Sequence, residues 1–420
     1  MVDRPDKKPD NLCMAPWTHT YLSPQTERRL CCASREPAQS FTQYIDTKAG
    51  TGEYNPTTLE EHWNGEHMRS VRRRMMAGEK ISECEVCTNK LLNTDVYRTY
   101  FWHLFQHKYD ELWKTTDDTG WTAMKPVSWD YRFSNLCNFK CRTCGDMLSS
   151  SWETEQKKHD MTNLKDPKQE FSEAVEQHRV EEIYWVGGEP LMYEQHWRYM
   201  KRIVELGDGP RLYARYNTNL SRTRYKGIDL GEDILSKIRD WQICASLDGT
   251  GAIGEYIRTG LKYNEFVDNF RALLPYSRNR RMMRLDYTLT LPGMQDVSNM
   301  QAIADELGVE ILAKVIFTFT NDIIMSPLAL PRDLLDRKVD SIVNKFILGD
   351  ALRDVLLQLK NRPTIQEQWP DDYERGMRKG KRRILTLENI RPNALCMRDI
   401  FAGPQGCKET LEWWDSIDAG

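Results

Sequence analysis

The chain has 420 residues, 59 of them basic and 62 acidic, for a net charge of −3. No global field draws nucleic acid or an anionic membrane surface to it, and no apolar run reaches the length a bilayer demands. Eleven cysteines follow a polar opening, Met1-Val2-Asp3-Arg4-Pro5-Asp6-Lys7-Lys8, with no apolar signal core, so ligands or reduced thiols are expected over disulfides, in a cytoplasmic protein of two or three domains.

Residues 1–120 read as a cysteine-bearing region. Cys13-Met14-Ala15-Pro16-Trp17 is followed by Arg29-Leu30-Cys31-Cys32 and then by Cys84-Glu85-Val86-Cys87. A CxxC pair with two more distant cysteines is ligand arithmetic for zinc or for an iron–sulfur cluster. Helices are expected over about 57–77 and after Cys87, where Leu91, Val96, Tyr100, Leu104 and Leu112 recur. The polar stretch Thr115–Gly120 marks a boundary.

From Val127 onward, β-like runs alternate with helical ones, which predicts a parallel sheet with crossover helices. The expected strands are Val127–Phe133, Glu182–Val186, Arg211–Tyr216, Gln242–Leu247, Arg284–Leu289 and Glu310–Phe317. The expected fold class is α/β: a partial (β/α)6 TIM-like barrel over 121–330, preceded by the cysteine-rich region and followed by a helical region over 331–420. In such barrels the site gathers at the C-terminal ends of the strands. Pro331 opens the last region, where Leu334, Leu335, Val339, Ile342, Val343 and Phe346 form a core stripe. The short basic runs Arg72–Arg74 and Arg375–Arg383 read as solvated helix faces, and Trp413 and Trp414 either cap the barrel or lie on its surface.

The chemistry concentrates after the expected strands. Cys137-Asn138-Phe139-Lys140-Cys141-Arg142-Thr143-Cys144 spaces three thiols as CxxxCxxC. Three thiolates can hold three corners of a cubane [4Fe–4S] cluster, which leaves one iron open for chemistry. A structural zinc site would bring a fourth Cys or His close by, and none stands between Gly145 and Lys158. The second strand runs into Gly187-Gly188-Glu189-Pro190, the third into Asn217-Thr218-Asn219-Leu220, and the fourth into Ser246-Leu247-Asp248-Gly249, with Arg258 shortly beyond. Singly these have plain readings: a tight turn, a turn asparagine, a surface arginine. Cys244 lies within a strand and reads as core.

Taken together, the triad and these motifs resemble the radical S-adenosylmethionine (SAM) superfamily. The resemblance implies a [4Fe–4S] cluster on Cys137, Cys141 and Cys144 whose open iron binds the amino and carboxylate groups of SAM. One electron then cleaves SAM to methionine and a 5′-deoxyadenosyl radical. Gly187 and Gly188 would allow close backbone approach and Glu189 would accept from the SAM amino group. Asn219 would make a polar ligand contact, Ser246 would meet the ribose or carboxylate, and Arg258 would present its planar fork to the carboxylate. Two positions depart from the pattern: Thr143 stands where a bulky apolar residue is favoured, and Leu220 replaces the glycine of a Thr-Asn-Gly segment.

The N-terminal set, with Trp63-Asn64-Gly65 between its parts, resembles a SPASM/twitch auxiliary-cluster domain placed ahead of the barrel. That implies a second [4Fe–4S] cluster on Cys13, Cys31, Cys84 and Cys87, with Cys32 the alternate to Cys31. The glycine of the G-x4-C pattern falls on Thr26. Cys396 and Cys407 have no motif and read as free thiols. The implied activity is hydrogen abstraction from a peptide leading to a cross-link or dehydrogenation, fed by an electron donor such as flavodoxin or ferredoxin, with no nucleic acid or membrane as partner. Oxidation or epimerisation of a small molecule (sugar, aminocyclitol or nucleotide) is the alternative, and a zinc-stabilised binding protein is the reading from outside the enzyme class.

Overall fold

The computed structural model describes residues 5–24, 26–36, 57–89, 97–156, 168–316, 323–391, 394–404 and 406–420. In chain order its strands are β1 (His19–Leu22), β2 (Arg28–Arg29), β3 (Ser128–Tyr131), β4 (Lys140–Cys141), β5 (Glu182–Trp185), β6 (Tyr213–Thr218), β7 (Arg224–Tyr225), β8 (Ile228–Asp229), β9 (Asp240–Ser246), β10 (Arg258–Thr259), β11 (Met283–Leu289) and β12 (Glu310–Val315). All six expected strands are present as β3, β5, β6, β9, β11 and β12, with ends shifted by a residue or two; Phe317 lies outside the described residues. They build a mostly parallel sheet with helices. Two compact units divide the chain: Met1–Leu136 with Lys157–Arg215 and Asp233–Trp241, and Cys137–Gln156 with Tyr216–Glu232 and Gln242–Gly420.

In the first unit β3 pairs in parallel with β5 on one side and with β1 on the other, Tyr21 opposite Asp130. Strand β2 runs antiparallel to β1. β1 was not expected, because His19-Thr20-Tyr21-Leu22 is short and buried at all four positions, which erases the two-residue alternation that announces a strand. Alternation along β3 and β5 separates a polar face, Ser128, Asp130, Glu182 and Tyr184, from an aromatic one, Trp129, Tyr131 and Trp185. Phe171 packs on that second face, 5.3 Å from Trp129 and 6.2 Å from Trp185.

The expected helix over 57–77 is two helices, Leu59–Trp63 and Glu66–Met76, parted at Gly65. A Cβ at Gly65 would meet the Glu61 carbonyl oxygen at 2.5 Å, so the chain turns where glycine permits it. Thr58 starts the first helix with a capping box to Glu61. The following helical pattern is Tyr97–Phe105 and Tyr109–Thr115; Leu91 and Val96 lie outside the described residues. These helices bury Met68, Val71, Met75, Phe101, Phe105 and Leu112 in one core with Leu12 and Trp17. Arg72 does not belong to a solvated face. It is fully buried, donating to the Pro16 carbonyl and the Asn64 side chain, both at 2.9 Å, over the Trp63 ring.

In the second unit β9, β11 and β12 run parallel, with Ser246 opposite Asp286, and the short β4 and β10 pair antiparallel, with Cys141 opposite Arg258. Beyond Pro331 six helices follow, from Arg332–Lys345 to Lys408–Ser416. Leu334, Leu335, Val339 and Ile342 are buried as expected, whereas Val343 and Phe346 are only half-buried. Trp414 is buried against Phe401. No helix among the described residues is long and apolar enough to cross a membrane.

Candidate iron–sulfur and SAM site

In the first unit, Cys13 precedes the helical turn Ala15–Thr18, Cys31 follows β2, and Cys84 and Cys87 straddle the start of the helix Glu85–Asn89. All four line one small pocket, open at its mouth, together with Leu30, Tyr97, Arg98 and Phe101. Cys32 does not line it; its thiol is hydrogen-bonded by the Tyr97 hydroxyl, and Asp130 and Arg132 are the charges that act on it most. The chain therefore turns the two adjacent cysteines to different surroundings. Burial pushes the Cys13 and Cys31 thiols upward and that of Cys84 to about 12, and the thiols raise one another further. Among the described residues no three His, Cys, Asp or Glu side chains converge on a point as a single ion requires. Four soft sulfur donors surround a space instead, and that arrangement fits a polynuclear iron–sulfur cluster.

The loop after β2's preceding strand explains the imperfect G-x4-C pattern. Thr26 sits at φ +62°, a left-handed conformation normally left to glycine. Its amide donates to the Ser23 carbonyl at 2.9 Å, which closes the turn that carries the chain to Cys31.

The first unit also carries the Gly187-Gly188-Glu189 segment. Gly187 adopts φ +132°. A Cβ on Gly188 would meet the carbonyl oxygens of Leu136 and Asn135 at 2.3 and 2.6 Å, so what approaches this glycine is the backbone of the segment leading into Cys137. The Gly188 and Glu189 amides donate to the Ser134 and Leu136 carbonyls at 3.3 and 2.7 Å. Glu189 is buried, and its carboxylate accepts from the Leu191 amide at 3.0 Å.

In the second unit, the cysteine triad lies on a loop tied down at nearly every residue. Ser150 and Ser151, opening the helix Ser150–Gln156, engage the Cys137 amide at 3.2 Å and its carbonyl at 2.6 Å. Ser149 donates to the Phe139 carbonyl at 2.7 Å, and Trp152 Nε1 donates to the Cys141 carbonyl at 2.8 Å. The Cys144 amide returns to the Cys141 carbonyl at 3.1 Å, a tight turn that brings the last two thiols together. Burial pushes the Cys144 thiol up to about 12, helped by Cys141. Burial raises Cys141 as well, and the Arg258 guanidinium opposes it. Three sulfur donors on one loop, with an arginine beside them, suit an anionic cluster with one open corner.

The remaining motif residues fall around this loop. Asn219 donates to the Asn138 side chain at 2.9 Å and accepts from the Ser221 amide at 3.0 Å, which joins the loop after β6 to the middle of the triad. Leu220, the replaced glycine, has φ +51°. Ser246 ends β9, half-buried. The half-buried Arg258 stands 2.8 Å from the buried Asp248 carboxylate, so a partner from the Ser-Leu-Asp-Gly segment already faces the arginine assigned to the SAM carboxylate. Asp248 was visible as part of a motif, though not as a partner of Arg258. Trp152 carried no signal at all, being one more aromatic on an amphipathic helix.

The radical SAM superfamily model matches residues 131–301, and the model of an iron–sulfur cluster-binding domain, SPASM, matches residues 13–88. Among solved structures the chain is similar to Streptococcus suis SuiB bound to S-adenosylmethionine, at 15% identity and TM-score 0.35, over 67% of this chain and 64% of that one. It is similar to SuiB bound to precursor peptide SuiA at 14% and TM-score 0.36, over 70% and 65%. A structure of TYW1 with a lysine–pyruvate adduct is similar at 16% and TM-score 0.33, over 57% and 79%. The chain thus covers less than two thirds of the first two structures. No curated protein sequence matches it.

Proposed function

We propose that the chain is a radical SAM enzyme with an N-terminal iron–sulfur SPASM domain, and that it oxidises a peptide, by cross-linking or dehydrogenation. Cys137, Cys141 and Cys144 are the ligands of the SAM-binding [4Fe–4S] cluster in this reading. Cys13, Cys31, Cys84 and Cys87 hold an auxiliary cluster. With its cluster and SAM bound, the triad site supplies a 5′-deoxyadenosyl radical that takes a hydrogen atom from an unactivated carbon. The protein's own residues bind, orient and exclude water, since productive transfer demands near-attack geometry.

The observation that carries the oxidative outcome is the four-cysteine cavity. Four thiolates saturate a cubane, so the auxiliary cluster has no open iron for substrate and is suited to receive an electron. The peptide as substrate rests on the SPASM resemblance. Gly187, Gly188, Glu189, Asn219, Ser246 and Arg258 are proposed to contact SAM, with Asp248 fixing the Arg258 guanidinium at 2.8 Å.

Iron and sulfide are counted on anaerobically reconstituted protein and on the Cys137→Ala/Cys141→Ala/Cys144→Ala variant. About eight irons per chain should fall to about four. SAM, a strong reductant and candidate peptides should then give 5′-deoxyadenosine together with a peptide that has lost two hydrogens. Turnover of a sugar, aminocyclitol or nucleotide in place of every peptide would overturn the substrate class. Stoichiometric zinc with little iron would overturn the enzyme reading.

A further inference from the structure

Residues 331–420 lie outside both family matches, yet one of their arginines is built into the cluster loop. Arg391 directly follows the helix Pro370–Ile390, and its side chain is 0% exposed. Its Nη1 donates to the Lys140 carbonyl at 2.8 Å. Nη2 donates to Glu155 at 2.7 Å, and Nε lies 3.2 Å from both Glu155 oxygens. The guanidinium plane also covers the Trp152 ring at 4.2 Å.

Trp152 and Glu155 are three apart on one helix, so they share a face. Trp152 is the residue whose indole holds the Cys141 carbonyl at 2.8 Å. Arg391 therefore grips the peptide preceding Cys141 directly and backs the side chain that grips the peptide after it. Lys140 reaches the same Glu155 at 2.7 Å, and Arg383 adds a second guanidinium over Trp152 at 5.1 Å. Arg391 and Lys140 share the Glu155 carboxylate, the first buried and the second 33% exposed, so positive charge stands beside the triad loop. A second tie runs from the same region: Arg142 stacks on Tyr256 at 3.8 Å, and the Tyr256 hydroxyl donates to Glu388 at 2.6 Å.

Burying a guanidinium is expensive and is repaid only when its donors are all used, and surface pairs elsewhere on this chain secure helices without that expense. We propose that Arg391 is a positioning residue for the [4Fe–4S] cluster, fixing the Lys140–Cys141 segment in its ligating conformation and keeping positive charge beside an anionic cluster. The proposal rests on the triad being the cluster site.

The test compares full-length reconstituted wild type, R391Q, R391K and E155Q by the rate of iron release to a chelator. The Cys137→Ala/Cys141→Ala/Cys144→Ala variant identifies which release phase belongs to the triad. Loss of a group that orients a metal ligand typically weakens the site about 10- to 100-fold. R391Q and E155Q should therefore speed the triad phase by about tenfold or more and leave the other phase unchanged. The reduced triad cluster should change its electron paramagnetic resonance spectrum in R391Q, and its midpoint potential should fall. R391K should restore the potential but not the release rate, because it keeps the charge and loses the fork. A wild-type triad phase and spectrum in folded R391Q overturns the proposal, and should R391Q not fold, a wild-type release rate in R391K overturns it equally. If the triple variant loses no iron, the assignment of the triad itself fails and the proposal falls with it.

Discussion

Thr26 and Leu220 share a left-handed backbone, at φ +62° and +51°, and each occupies a position where the resemblance expects glycine. The turns are retained although the residue suited to them is not. Thr26 is buried, so exchanging it for glycine relieves the strain of a β-branched residue and at the same time forfeits a small buried side chain. The two effects oppose each other, and Thr26→Gly should change stability by no more than about 1 kcal/mol in chemical denaturation. Leu220 is fully buried, so Leu220→Gly forfeits a core side chain whose removal costs roughly 2–5 kcal/mol, more than the strain returns. It should be destabilising by about 2 kcal/mol. A larger loss at Thr26 than at Leu220 would show that the size of the buried side chain is not what distinguishes these positions.

The two adjacent cysteines face different surroundings, which separates their roles by a simple count. Cys31→Ala should lose about four irons after reconstitution, whereas Cys32→Ala should keep them. Equal loss from both would mean that the cavity wall is not the ligand set.

Gly188 is hemmed by backbone on the segment that runs into Cys137. A methyl group at 2.3 Å from a carbonyl oxygen has no flexible neighbour to displace. Gly188→Ala should lower stability by about 2–3 kcal/mol, as overpacking does. It should also reduce triad iron, read from thermal melting and metal analysis of one preparation. An alanine variant with normal melting would place the glycine's role elsewhere.

His196 is buried between Trp185 and Trp197, with ring centroids 4.9 Å away on each side, and burial lowers its pKa from the ordinary 6.5 to about 3. Its folded value lies below its unfolded one. The stability it contributes is therefore complete above pH 6.5 and drains as pH falls toward 3, by at most about 1.4 kcal/mol per pH unit. His196→Phe keeps an aromatic ring and has no proton to gain. Urea denaturation at pH 7, 6 and 5 should show a flatter decline in the variant than in wild type. Parallel declines would assign the acid sensitivity to other groups, among them His19 and His62, whose pKa values are likewise lowered to about 3.

What the sequence made legible follows from what is local. β3, β5, β6, β9, β11 and β12 announced themselves because each is a compact β-rich run between helical ones. The CxxxCxxC spacing and the Gly187–Glu189 segment stand out in the sequence because their residues lie a few positions apart. β1 could not, since four buried residues carry no periodicity. Arg391 could not either: its partner Lys140 is 251 residues away, and nothing around an arginine at a helix end says that it will be buried. Arg72 was misjudged for the same reason, as a basic triplet on a helix gives no sign of which member faces Trp63.

β1 beside β3 also sets an order of events during synthesis. All four cysteines that line the N-terminal cavity, from Cys13 to Cys87, leave the ribosome before β3 exists. The strand that lies between Cys13 and Cys31 then has no neighbour on its parallel edge until Tyr131 has been added. A nascent chain at that stage offers thiols to metal on an unfinished scaffold, so the first ion it meets could bind in an arrangement the finished sheet does not support. Correct loading of this site thus depends on when iron and sulfur are delivered as well as on which residues receive them.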